Sequence, residues 1–306
     1  MTGLESSSTV RSPLTLHWGN PPTGTYNAPI HLGLQRGAFG SPDLLIEMRD
    51  NRNGAEYTQA LLSGQFDMGH IGTPPLFAAL AETDAYVIVG QGVVRYPCFW
   101  VVAPPEISSA NELVGKSIGL NKRQTCSHSI IRTLLSWEGL TEADIDLRIF
   151  GDYANITEAI GTQGLAAAVL CEPHVSFTER VYGWRVLVEG RRVIDPSNFG
   201  ICIYAKRTLL EERPDLVARL VEDYGNCVQY AIDHMDQAAD ALDGCFPGFL
   251  AEDIKKAIQR DTPNWTSDVT VDKDFLGAVL TELKSQEIVP AKFALDARIM
   301  FTRLVA

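Results

Sequence analysis

Cys126-Ser-His128 is the sharpest chemical feature of this 306-residue sequence. A thiol at the start of a helix has a depressed pKa, and a neighbouring imidazole depresses it further, which makes a nucleophile. Positions i and i+2 of a helix point to different faces, however, so a buried structural cysteine is the default reading. Glu172 and His174 bracket Pro173 after a buried apolar run. Together a carboxylate and an imidazole can hold an amine or heteroaromatic nitrogen, or transfer a proton. The structural alternative is that Glu172 caps a helix and His174 is simply exposed. These four residues are the catalytic candidates. His17, His31, His70 and His234 have no metal-ligand spacing. Phosphate cradles of the GxxxxGK(S/T) or GxGxxG type are missing from any strand-turn-helix context. The sequence therefore demands no metal and no cofactor.

A second set of residues suits binding rather than catalysis. Trp18 and Tyr26 flank the turn-rich loop Gly19–Gly24, which contains Asn20, and can sandwich a planar ring. Ordinary packing of an aromatic at a strand end is the competing reading. Thr73 is expected as an N-cap with Pro74 as the first helical residue, its hydroxyl and nearby N–H groups being free to meet a ligand. Thr125 and Ser127 open another helix. Asp152, Tyr153 and Asn155 follow another strand end and can line a cleft.

The elements that must carry these residues alternate. Short apolar strands are expected at 14–18, 44–48, 66–70, 87–92 and 98–102, with helices after the first three. The β-loop-α pattern restarts at 117–120 and continues through strands near 146–150, 165–170, 184–188 and 200–204. From Thr208 onward the chain reads as helix, with clear periods at 214–233, 251–260 and 272–286. Two α/β lobes with a helical C-terminal tail follow from this alternation. The segments 96–104 and 197–204 are the natural crossings. Residues 1–13 are expected as a flexible leader, 14–103 with 196–306 as lobe 1, and 104–195 as lobe 2.

Composition narrows the function. A formal net charge of -12, from 26 Lys+Arg against 38 Asp+Glu, makes a poor partner for nucleic acid or anionic membrane. No run of about 18 apolar residues is present, so no membrane insertion is expected. Six scattered cysteines without a CxxC pair suggest free thiols in a reducing compartment. With no signal-peptide pattern after Met1, the expected address is the cytoplasm, or the periplasm if the start is a processed one.

Several stretches carry a family resemblance. Leu61-Leu-Ser-Gly-Gln-Phe-Asp-Met-Gly-His-Ile-Gly-Thr-Pro-Pro75, Asn111-Glu-Leu-Val-Gly-Lys-Ser-Ile-Gly119, Gly164–Pro173 and Lys206–Leu220 resemble the type II periplasmic-binding-protein superfamily. The likeness is to its aliphatic-sulfonate, taurine and nitrate binders and to its NMT-type thiamine-pyrimidine synthases. It implies two doubly wound lobes joined by a two-segment hinge, closing over a small ligand. It also implies that Thr125 and Ser127 are where the second lobe grips that ligand. In open α/β sheets ligands sit beyond the carboxyl ends of the strands, at helix starts with unpaired N–H donors. The loops 18–26, 71–74, 123–127 and 172–174 qualify and are expected to converge. The expected ligand set is Trp18, Asn20, Tyr26, Thr73, Thr125, Ser127, Asp152, Asn155 and Glu172.

Two function classes remain open on this reading. One is a solute binder for a small anionic or heteroaromatic molecule, of the sulfonate, nitrate or thiamine-precursor class, serving an ABC permease if exported. The other is a cytosolic lyase, decarboxylase or desulfinase on the same scaffold. Against the pyrimidine synthases themselves, their cofactor-bearing lysine falls near Ile71, their histidine near Pro75, and their cysteine-rich iron motif has no counterpart.

Overall fold

The computed structural model describes residues 13–21, 24–51, 54–94, 98–123, 125–193, 200–285 and 287–295, with Gly54, Ala55 and Cys126 described in backbone only. All but Pro13 of the expected leader lies outside the described residues. The strands are β1 Leu14–Asn20, β2 Leu44–Asp50, β3 Met68–Gly72, β4 Tyr86–Gln91, β5 Trp100–Ala103, β6 Ser117–Leu120, β7 Asp146–Ile149, β8 Ala167–Leu170, β9 Arg185–Glu189 and β10 Ile201–Lys206. The helices are α1 Ala28–Gln35, α2 Gly54–Leu62, α3 Thr73–Glu82, α4 Cys126–Trp137, α5 Tyr153–Thr162, α6 His174–Tyr182, α7 Gly190–Val193, α8 Arg207–Glu212, α9 Pro214–Asp233, α10 Met235–Asp240, α11 Ala251–Asp261 and α12 Lys273–Ser285.

Two five-stranded sheets form, ordered β2-β1-β3-β10-β4 and β7-β6-β8-β5-β9. Strands covered on both faces must be apolar throughout. Accordingly every residue of β4, β5 and β8 is buried, while the edge strand β7 has exposed ends and a half-buried middle. Each sheet holds one antiparallel insertion near its edge. β10 runs against β3 and β4, with Ile203 opposite His70, and β5 runs against β8 and β9, with Val101 opposite Val169. β5 therefore belongs to the second sheet, a correction to a lobe boundary drawn after residue 103. Its apolar face finds partners in β8 and β9 rather than in β4. The chain just ahead of the first crossing pairs with the second: Gly92 N–H donates to the Ile201 carbonyl at 2.7 Å and Ile201 N–H to the Val94 carbonyl at 3.0 Å.

One close approach depends on glycine. A Cβ on Gly69 would lie 2.4 Å from the Tyr204 hydroxyl and 2.8 Å from the Gly19 carbonyl. Here β1 and β3 pass beneath the Tyr57 and Tyr204 hydroxyls, which bond each other at 2.5 Å. No larger side chain fits.

The C-terminal tail covers both sheets. α9 buries Leu216, Val217, Leu220, Tyr224, Cys227 and Val228 at helical spacing, against α1 and β4. α11 packs on α6 beside the second sheet and on the turn Thr25–Asn27 of the first. One continuous buried cluster consequently runs from Trp18 and Tyr224 in the first lobe to Ile156, Leu170 and Val175 in the second. The lobes are closed on one another. Among the described residues, no helix is long and apolar enough to cross a membrane.

Candidate functional site

The segments at and after the ends of β1, β3, β6, β7 and β8 hold the expected site residues, and their side chains divide sharply by role. Trp18 is fully buried. Its indole N–H donates to His70 Nδ1 at 3.0 Å, its ring stacks on Tyr224 at 6.2 Å, and Phe39 meets it edge-on at 5.0 Å. Both ring and N–H are thus spent inside the first lobe, so Trp18 does not form the expected sandwich with Tyr26. Burial lowers the His70 pKa to about 3, leaving a neutral ring whose Nε2–H faces Asn27 Oδ1 at 3.1 Å.

Asn20 and Thr73 behave differently. Asn20 is buried at the end of β1 and donates from its amide to Asp50 Oδ1 at 2.6 Å, but its own Oδ1 has no partner. Gly72, not Thr73, caps α3, and Thr73 is the first helical residue with its N–H donating to the Gly200 carbonyl at 3.0 Å. The pairing of β3 with β10 extends through Gly72, and the helix follows at once, starting at Thr73, one residue earlier than the cap pattern suggests. The Thr73 hydroxyl, freed from capping, is buried and unpartnered. A buried polar atom without a partner costs roughly 1–3 kcal/mol, so such atoms are rare unless something else meets them.

In the second lobe, Thr125 is the N-cap of α4 and its hydroxyl contacts the Lys122 carbonyl at 2.8 Å and Ser127 Oγ at 2.9 Å. Ser127 in turn donates to Asn121 Oδ1 at 2.6 Å. Cys126 heads α4, and its side chain lies outside the described residues. His128 Nε2 meets Glu142 Oε1 at 2.8 Å, with Arg123 on the same carboxylate. Burial lowers the His128 pKa against the pull of Glu142.

Asp152 and Asn155 form a local cap on α5. Asp152 Oδ1 accepts the Asn155 N–H at 2.8 Å, and the Asn155 amide donates to the Phe150 carbonyl at 3.1 Å. Both residues are exposed.

Glu172 and His174 do not form a working pair. Glu172 Oε2 accepts the Ser176 N–H at 3.0 Å, while Oε1 takes the Ser176 hydroxyl at 2.9 Å and Arg260 Nη1 at 2.6 Å. Burial raises its pKa against the opposing charge of Arg260. His174 Nδ1 instead meets the Thr157 hydroxyl at 3.0 Å, and its ring packs edge-on against Phe249 at 5.1 Å. Burial brings its pKa from 6.5 down to about 4. A neutral imidazole favoured in the fold makes the unfolded chain the better proton binder between those values. Stability is intact above pH 6.5 and falls as pH drops toward 4, by about 1.4 kcal/mol per pH unit from this group. His174→Gln is expected to flatten the pH dependence of urea unfolding over that window by this amount. An unchanged slope would show that His174 is not held neutral.

The structure adds residues that sequence reading missed. Asp261, the last residue of α11, is buried and accepts the Thr25 hydroxyl on Oδ2. Arg260 reaches from α11 to Glu172 and to Glu179 of α6. Arg180 of α6 returns a bidentate contact to Asp253 at 2.7 Å on both arms. A signal for Asp261 exists in the sequence. It sits at the next apolar-stripe position after Ile254, Ala257 and Ile258, where a carboxylate is out of place. A small cavity of about 40 Å³ remains at the lobe junction, between Phe99, Trp100, Gly190 and Arg260. A concavity of about 440 Å³ opens at the opposite ends of β1 and β2, by Leu14, Leu44 and Pro214, away from these loops.

Comparison with known proteins agrees with this architecture. The alkanesulfonate-binding protein SsuA of Xanthomonas axonopodis pv. citri, solved with MOPS, superposes with a TM-score of 0.77 at 17% identity, covering 95% of this chain and 99% of that one. The periplasmic aliphatic sulphonate binding protein SsuA of Escherichia coli gives 0.78 at 20% identity, covering 96% and 95%. A conserved Candida albicans gene product with the generic periplasmic binding protein fold gives 0.67 at 16% identity, covering 96% and 100%. Among curated proteins none matches this sequence. The sequence model described as NMT1/THI5 like matches residues 24–238, well over half of the chain. With its two-lobed fold and these matched residues, the chain belongs to the NMT1/THI5-like family.

Proposed function

We propose that this protein is a solute binder whose lobes close over a small organic molecule at the carboxyl ends of the first-lobe strands. The observation that carries this reading is the pair of buried, unpartnered polar atoms, Asn20 Oδ1 and Thr73 Oγ1. They occupy the ends of β1 and β3, where a crevice in such sheets receives its ligand. A guest bound at these strand ends would meet both atoms and remove the cost of leaving them unsatisfied. Its sulfonate-binding neighbours support the same reading. Those named as periplasmic favour a setting outside the cytoplasm, with an ABC permease as partner, over the cytoplasmic address expected from the amino terminus. The enzyme reading is weakened at three of its four candidates, since Glu172, His174 and His128 are each committed to separate partners, while the Cys126 side chain lies outside the described residues.

Native mass spectrometry of freshly purified protein tests the proposal. A non-covalent small molecule that leaves on denaturation is expected. Its absence, together with no thermal shift across sulfonates, aromatic acids and nitrogen bases, would overturn the reading. Thr73→Val is expected to leave folding stability equal or slightly higher while weakening the retained ligand by about 1–3 kcal/mol in calorimetry. Equal affinity in that variant removes Thr73 from the site.

A further inference from the structure

We propose that the guest presents an N–H donor, of the organic ammonium or amidinium kind, to Asp261 Oδ1, and is therefore not a sulfonate or other anion. This inference rests on the solute-binding reading and adds the substrate class. Asp261 stands where every part of the molecule meets: Thr25 comes from the first lobe, Cys171 from the end of β8, Cys98 from the crossing, and Asp261 itself from the tail. Tyr26, Cys98 and Cys171 all lie close enough to feel its charge. The carboxylate is 1% exposed. Thr25 serves one oxygen, and the other has no hydrogen-bond partner, the neighbouring Cys98 thiol being at best a weak donor.

Charge accounting points the same way. Among the described residues no Lys or Arg forms an ion pair with Asp261. Arg260, next to it in sequence, directs its guanidinium to Glu172 and Glu179. Burial pushes the Asp261 pKa well above the usual carboxylate range against the attraction of Arg260, and a donor from outside the chain that meets the open oxygen favours its ionised form. A sulfonate brings no donor to the open Oδ1, whereas an ammonium or amidinium supplies both the missing hydrogen bond and a charge beside it. Four residues on, the Trp265 indole N–H is also buried and unpartnered, so the same segment offers an acceptor and a donor. Both residues lie beyond the stretch matched by the family model, which ends at residue 238. Asp261 is thus a feature of the tail rather than of the shared core, and the sequence match carries no expectation about it.

Benzamidine and benzenesulfonate, alike in ring and opposite in charge, test this on the full chain. Thermal shift and calorimetry are expected to show benzamidine binding to the wild type, benzenesulfonate not binding, and at least about tenfold weaker benzamidine affinity in Asp261→Asn. The isosteric variant is also expected to melt no lower than wild type without ligand, because it removes a buried acid that forms no ion pair with Lys or Arg. Benzenesulfonate binding, benzamidine binding equally well to the variant, or no benzamidine response at all overturns the assignment. If Asp261→Asn does not fold, the wild-type comparison of the two probes decides alone. The native mass measurement described above judges solute binding independently. A retained anionic guest there sinks this inference while leaving solute binding intact.

Discussion

Arg260→Met is expected to lower folding stability by about 3–5 kcal/mol, the range for breaking a buried ion pair by removing one partner. The Glu172 side chain has no solvent exposure, and Arg260 contacts it at 2.6 Å. Methionine leaves that carboxylate with only the Ser176 N–H and hydroxyl. The same change frees Glu179, although Lys256 remains on it at 2.6 Å. Burial already raises the Glu172 pKa against the pull of Arg260. Without the guanidinium the carboxyl protonates at higher pH still, so part of the loss is recovered as pH falls. Urea unfolding at two pH values measures both effects. A loss below about 1 kcal/mol would mean that the contact behaves as an exposed pair. The location matters as much as the size, because Arg260, Lys256 and Arg180 join α11 to α6 across the two lobes. Weakening them should also open the lobes, visible as faster proteolysis near the crossings.

Trp18→Ala is expected to cost about 3–5 kcal/mol, as large-to-small changes in a packed core do. The indole fills space against Phe39, His70 and Tyr224, and its removal strands the His70 Nδ1 acceptor. Trp18→Phe separates the two contributions. It keeps most of the volume and loses the hydrogen bond, so a cost of roughly 1–3 kcal/mol is expected. Ligand affinity should be unchanged in Trp18→Phe. A variant of normal stability that fails to bind would return Trp18 to the binding surface.

Much of the fold is legible in the sequence, because it is written in periodicity. The alternation of short apolar runs with helical periods places nearly every strand and helix within two or three residues. The span 214–233 matches α9 at both ends. Boundaries shift where pairing overrides local signals, as at β3, where β10 holds the strand through Gly72, beyond its expected end at residue 70. The side chains are harder to read. Residue type and loop position bring Asn20, Thr73 and Glu172 correctly to buried strand ends, but cannot say which of their atoms are already satisfied. Glu172 and His174 are two residues apart and turn to different partners, Arg260 and Thr157, neither near them in sequence. Asp261 escapes because its role depends on a contact with Thr25 that spans 236 positions. Only the misfit of an acid on an apolar stripe hints at it.

The antiparallel insertion of β10 bears on how the chain matures during synthesis. All strands of the second sheet are contiguous, from Trp100 to Glu189, so that half can complete itself as it leaves the ribosome. The first sheet cannot, since the slot between β3 and β4 stays vacant until Ile201–Lys206 emerges. Until then two open strand edges await a mate more than a hundred residues downstream, a standing invitation to pairing with other nascent chains. The later-made half is therefore the one able to fold first, and truncation after Glu189 but before Ile201 should yield one sound lobe attached to an aggregating one.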